Sequence, residues 1–255
     1  MIRWSVFVII LFIDASCIGC FSVDSAVESP CEQLAVSGVA LSFDDSQNIE
    51  SWNESRGFLS ENGIKATFYV DGIWWMSDER KEILHDLVIE GHEIGLHGMN
   101  HRDYFIHLEN GGSAQEYFDD EVLHPLQLLR DEGFSIETFA YPMGHRDSEI
   151  DTLVLEELPL IRGTRSNKEG SNHWLVSCED VPIFRAISIT DNQDQLPTLL
   201  EYLPLAESRG NTLVMYSHSI AGDNDPVSHE NLTIIADEVQ RLGLPWLHMS
   251  ELSRV

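Results

Sequence analysis

Apolar and polar positions alternate along this chain in a repeating way. Short β-branched and aromatic runs, each ending in polar residues, are followed by longer stretches with apolar residues at helical spacing. Val36 to Phe43 predicts a first strand, running straight into Asp44 and Asp45. Ile49 to Glu61 predicts a helix that Gly63 ends, and Lys65 to Val70 a second strand. A helix over Asp78 to Glu90 stops at Gly91, and His92 to Leu96 then predicts a third strand. Ser113 to Glu132 predicts one long amphipathic helix, with Phe118, Val122, Leu126 and Leu129 on its apolar side. Phe139 to Tyr141 predicts a fourth strand and Ser148 to Leu158 a helix.

Further along, Leu160 to Arg165 and Arg185 to Ile189 are short strand candidates. Gln193 to Arg209 predicts a helix that Pro197 and Pro204 should limit or kink. Thr212 to Tyr216 is an apolar strand ending at Ser217 and His218. A helix over Ser228 to Leu242 and a strand over Trp246 to Met249 complete the order. Strands alternating with helices imply a parallel sheet covered by helices, in the α/β class. About seven strands fit a partial or distorted (β/α) barrel, and such folds place their chemistry at the strand C-terminal ends.

Two clusters of candidate chemistry lie at such ends. Glu90 to His101 reads EGHEIGLHGMNH and carries His97 and His101 four positions apart. Side chains four apart can face the same way, and two neutral imidazoles so placed can share a divalent metal. Taken alone, the pair reads equally as solvated loop histidines, so a carboxylate is needed as a third ligand. Asp44 and Asp45 supply one, because adjacent residues on an extended strand point to opposite sides. One carboxylate can bind metal while its neighbour stays free as a base; the alternative is an acidic helix cap leading into Ser46 to Trp52.

In order, LSFDD, GIKATFYV, EGHEIGLHGMNH, FAYPMG and TLVMYSH resemble the successive motifs of the polysaccharide deacetylases, carbohydrate esterase family four, with the NodB-like homology domain. The resemblance runs from about Val36 to Leu252. It implies a distorted (β/α) barrel and a metal-dependent hydrolase that removes N-acetyl groups from a polysaccharide or oligosaccharide. It implies Asp45, His97 and His101 as metal ligands, Asp44 as general base and His218 as general acid. Tyr141, Pro142 and Met143 match the segment that holds the oxyanion. The ligand set suits zinc, with cobalt, nickel or iron as alternatives. O-acetyl ester hydrolysis, or a carbohydrate-binding protein that has lost turnover, are the competing functions.

One departure from the family stands out. Ala140 occupies the position where many members carry an arginine that supports the base. Arg165, following the strand that begins at Leu160, is the preferred replacement, ahead of Arg146. Tyr216 reads as core or as a wall of the acetyl pocket. Trp74 and Trp75 read first as core, with stacking on sugar rings as the alternative. His92, His107, His145, His173, His229 and His248 read as surface or structural.

Composition adds limits. The 255 residues suffice for one α/β domain, and 43% are hydrophobic. Forty-three acidic against fifteen basic residues give a net charge of −28, which excludes nucleic acid as the expected partner. A carbohydrate polymer or oligomer is the expected one, and the oligomeric state is left open. Arg3 precedes the apolar run Trp4 to Ile13, too short to span a bilayer and right for a signal-peptide core. Cys17-Ile18-Gly19-Cys20 resembles a lipobox with Cys17 in place of the usual leucine, making Cys20 a candidate lipidation site. The expected organisation is a signal peptide over 1–20, a tether over 21–34 and a catalytic domain over 35–255. The protein is then exported, as a periplasmic or membrane-anchored lipoprotein or otherwise secreted. In such a compartment Cys31 and Cys178 either pair or stay as free thiols.

Overall fold

The computed structural model describes residues 37–164, 174–177 and 180–253. The expected signal peptide and tether, Cys20, Cys31, Cys178, His173 and Arg165 lie outside the described residues. The strands are β1 (Gly38–Asp44), β2 (Thr67–Val70), β3 (Glu93–Leu96), β4 (Thr138–Ala140), β5 (Leu160–Thr164), β6 (Leu175–Val176), β7 (Ile183–Ser188), β8 (Thr212–Ser217), β9 (Ser219–Ile220), β10 (Pro226–Val227) and β11 (Trp246–Leu247). The helices are α1 (Ile49–Glu54), α2 (Arg56–Glu61), α3 (Asp78–Ile89), α4 (Tyr104–Glu109), α5 (Ala114–Tyr117), α6 (His124–Asp131), α7 (Ser148–Glu157), α8 (Leu196–Arg209) and α9 (His229–Leu242).

Seven parallel strands, β1, β2, β3, β4, β5, β7 and β8, follow one another around a barrel. It closes where β8 pairs back onto β1, from Gly38 opposite Thr212 to Phe43 opposite Ser217. The distortion lies at the end away from the strand C-termini. There β11 takes the edge of β1 at Val39 and Ala40, while β2 takes it at Ser42 to Asp44. Likewise β6 runs antiparallel on the lower part of β8, and β7 takes the upper part. The expected last strand is therefore a two-residue appendage, not a stave.

Alternation along the strands separates two cores. Outward residues such as Val39, Leu41 and Phe43 join a large cluster beneath the helices with Trp52, Leu84, Leu126 and Val154. Inward residues are fewer and smaller: Ala40, Tyr69, Ala140, Leu160, Phe184, Ala186 and Val214 fill the barrel with Leu247, Met249 and Leu252. This asymmetry leaves the upper interior to polar side chains. Ser42, Asp44, Thr138 and Arg162 are all buried there.

Several elements differ in detail from the pattern-based expectation. The helix expected over Ile49 to Glu61 divides at Ser55 into α1 and α2. α4 was not expected; the Asp103 side chain nucleates it by accepting from the amides of Phe105 and Ile106. The helix expected over Ser113 to Glu132 starts with a Ser113–Glu116 capping box, but a π-helical segment over Phe118–Leu123 separates α5 from α6. Its apolar stripe is still buried as expected.

Candidate metal and catalytic site

The site gathers at the C-terminal ends of β1, β3 and β8, with the middle of β5 facing it from inside the barrel. Asp44 is the last inward residue of β1 and is 3% exposed. A regular strand would turn Asp45 the other way, out toward the helices. Asp45 instead takes φ 71°, a left-handed excursion that swings its carboxylate back over the barrel mouth. The two aspartates thus reach one site from different depths.

His97 directly follows β3, and Gly98 and His101 take φ of 94° and 52° so that the chain doubles back. Asp45 Oδ1 lies 3.3 Å from His97 Nε2 and 3.1 Å from His101 Nε2. That oxygen is buried and has no hydrogen-bond partner among the described residues. The three ligand atoms lie within 4.8 Å of one another. Ligand bonds of about 2.0–2.1 Å to a shared ion suit this spacing, so the residues fit a divalent metal. His97 Nδ1 lies 2.7 Å from the Ala140 carbonyl, a contact that fixes the tautomer with Nδ1–H donating and Nε2 free to bind. The position of the family arginine therefore serves the site through its backbone.

Burial pushes the Asp45 carboxyl up, but the imidazoles of His101 and His97 outweigh it and hold the group well below the usual carboxylate range. Asp45 in turn raises His101 against the opposing effect of burial. The carboxylate is thus anionic at any ordinary pH, as a metal ligand must be.

The cation on Asp44 comes from an unexpected place. Arg165 lies outside the described residues, and Arg146 is paired with Asp151 instead. Arg162, in the middle of β5, is fully buried and its Nη2 donates to Asp44 Oδ2. The guanidinium lies 5.0 Å from the ring centres of both Tyr69 and Tyr216. Burial opposes its charge, and Asp44 with the flanking tyrosines more than offsets that, raising its pKa further. Asp44 Oδ1 remains buried without a hydrogen-bond partner among the described residues, so one oxygen is anchored and the other uncommitted. Tyr216 accordingly is a wall of the arginine slot, half-buried, with its ring edge-on to His218.

His218 follows β8. Its Nε2 lies 3.9 Å from Asp45 Oδ2, and its carbonyl accepts from Trp52 Nε1 at 2.8 Å. Tyr141 is buried by its side chain, whereas Met143 adopts φ 59° and is 62% exposed. Pro142–Gly144 forms a single tight turn at the mouth, closed by Gly144 N–H donating to the Tyr141 carbonyl. Trp74 and Trp75 are 61% and 50% exposed, which overturns the expectation that they pack in the core.

The model of the polysaccharide deacetylase family matches residues 33–160, half of the chain. The chain belongs to the polysaccharide deacetylase family. It is 35% identical over 65 residues to a chitooligosaccharide deacetylase of Sinorhizobium fredii, a stretch covering 26% of this chain and 29% of that protein. The fold of a Streptococcus mutans CE4 esterase superposes with a TM-score of 0.56, at 17% identity over 85% of this chain and 87% of the esterase. The chitin deacetylase of the fungus Colletotrichum lindemuthianum superposes with a TM-score of 0.51, at 17% identity over 87% of this chain and 88% of its own.

Arg162 is a site residue that the linear pattern did not disclose. Arg162 had a readable signal: an arginine inside LIRGT, on the same inward parity as Leu160, is a charge that must find a partner.

Proposed function

We propose that this deacetylase-family chain is an active metal-dependent hydrolase. It removes N-acetyl groups from the sugars of a polysaccharide or oligosaccharide of peptidoglycan, chitin-like or exopolysaccharide type. The observation that carries this reading is the convergence of Asp45, His97 and His101 beside an Asp44 carboxylate that has one oxygen anchored by Arg162 and one free. A divalent ion held by Asp45, His97 and His101, zinc by preference and otherwise cobalt, nickel or iron, would supply Lewis acidity, polarising the acetyl carbonyl and easing deprotonation of water.

Asp44 Oδ1 takes the proton of the attacking water as the new C–O bond forms at the acetyl carbon. The backbone turn from Tyr141 through Met143 holds the oxyanion, the exposed Met143 side chain leaving that space clear. His218 donates a proton to the sugar nitrogen as the C–N bond breaks, releasing an amine and acetate; an unprotonated amine anion would be too poor a leaving group. Trp74 and Trp75 offer flat faces to sugar rings at the rim.

The relatives named for chitin and chitooligosaccharides support N-acetyl over O-acetyl chemistry. The test is acetate release from a panel of N- and O-acetylated glycans, with chelator and after zinc is restored. Chelator-sensitive release from N-acetylated oligomers is the expected result. Release from O-acetylated glycans alone makes the chain an esterase. Glycan binding with no release from any substrate makes it a binding protein and overturns the proposal. Export belongs to the same reading, supported by Trp4 to Ile13 and the CIGC stretch. Cys20→Ser is expected to lose lipid labelling and leave the membrane fraction.

A further inference from the structure

The His97–His101 loop carries two left-handed residues, one of them not glycine, and such a backbone persists only where its surroundings over-determine it. One buried carboxylate takes up the backbone amides of this loop. Glu121 Oε2 accepts from the backbone amides of Met99 at 3.0 Å, Asn100 at 2.9 Å and Arg102 at 3.4 Å. Its other oxygen, Oε1, accepts from Asn100 Nδ2 at 3.2 Å and lies 3.5 Å from Arg102 Nε. Glu121 is completely buried, unlike its exposed neighbours Asp119 and Asp120. It projects from the π-helical segment, and Tyr117, four residues earlier, donates from its hydroxyl to the Arg102 carbonyl at 2.9 Å.

The loop is shaped to receive this group. A Cβ on Gly98 would lie 2.9 Å from Glu121 Oε2, so a side chain there would displace the carboxylate even if its φ of 94° were tolerated. Five donors converge on two oxygens, leaving no orientation for an amide NH₂. Glutamine is therefore not a conservative replacement.

We infer that Glu121 is a positioning residue that pre-forms the metal-ligand loop, setting His101 against Asp45 before any ion arrives. This rests on the proposed reading of Asp45, His97 and His101 as ligands. Among the described residues no hydrogen bond or ion pair joins Glu121 to the ligand imidazoles; it acts through the amides of Met99 and Asn100 ahead of His101 and of Arg102 after it. Neighbours that orient a ligand are typically worth about 10–100-fold in metal affinity.

The test uses the full chain, stripped of metal, with cobalt(II) as the probe. Glu121→Gln is expected to stay folded, lose about 10–100-fold in cobalt affinity and change the visible spectrum of bound cobalt. Asp119→Asn, two positions away and exposed on the same segment, is expected to match the wild type. Hydrogen exchange on the metal-free wild type is expected to show the Met99, Asn100 and Arg102 amides protected, and at least about tenfold faster exchange in Glu121→Gln. Wild-type cobalt affinity and spectrum in Glu121→Gln, even with a lowered melting temperature, would reduce Glu121 to a structural role and overturn the inference. So would fast exchange of these amides in the wild type, a result that needs no variant to fold. If the wild type takes up no cobalt while the amides are protected and Glu121 controls them, the ligand assignment falls and the pre-formed loop stands.

Discussion

Arg162 carries its charge into a place with no water-facing surface, and its stability there depends on Asp44. A buried pair is not in itself strong evidence of stabilisation, but removing one partner strands the other. Arg162→Met keeps the length and removes the charge, and is expected to cost about 3–5 kcal/mol in denaturant unfolding. The double variant Asp44→Asn/Arg162→Met should be less destabilised than Arg162→Met alone, since no charge is then stranded; additive losses would show that the pair is not coupled. Asp44→Asn by itself is expected to retain metal stoichiometry while kcat falls by about 10²–10⁴-fold, measured by elemental analysis and acetate release. Undiminished turnover would place the base elsewhere. Asp44, Asp45, His97 and His101 were legible because each pair is local, its geometry following from one strand end or one loop. Arg162 was not, because it meets Asp44 across the barrel from 118 residues away, and only closure of the sheet brings them together. The side on which Asp45 presents its carboxylate was also illegible, since it follows from a single left-handed φ.

The elements show how tightly the barrel interior couples packing to the site. Gly95 in β3 faces inward, where a Cβ would lie 2.5 Å from Tyr69 Cε1 and 2.8 Å from Thr138 Oγ1. Tyr69 cannot yield without moving off the guanidinium of Arg162. Gly95→Ala is therefore expected to cost about 1–3 kcal/mol by overpacking and to lower kcat as well, although the residue touches neither ligand nor substrate. Equilibrium unfolding and acetate release check the two effects separately, and wild-type stability would refute the packing argument. The seven barrel strands could be read from alternation and turn glycines, whereas the two-residue strands β6, β9 and β10 could not. The break between α5 and α6 could not, because a π-helical turn leaves Phe118, Val122, Leu126 and Leu129 on the same buried stripe as a continuous α-helix.

For the whole molecule, the dominant fact is a net charge of −28, which makes its stability a contest between opposing pH effects. Lowering the pH relieves repulsion among the acidic groups and on that account favours the folded state. His92 works the other way. It lies on the rim of the barrel opposite the active end, 6% exposed, with its Nδ1 accepting from the Ala66 amide at 3.2 Å and its ring edge-on to Phe68. Burial, aided by the nearby charge of Lys65, pushes its pKa down from 6.5 to about 4. The unfolded chain therefore binds a proton that the folded chain refuses between those values, so His92 withdraws stability as pH falls from 6.5 toward 4. The shift corresponds to roughly 3 kcal/mol at the acid end of that window. His92→Asn offers an oxygen to the same amide and does not titrate there. Its unfolding free energy is expected to fall less than that of the wild type between pH 7 and pH 4, by about that amount, in chemical denaturation at fixed ionic strength. Parallel curves for the two proteins would mean that His92 titrates as it does in the unfolded chain, and that the acid limb of stability belongs to the carboxylates alone.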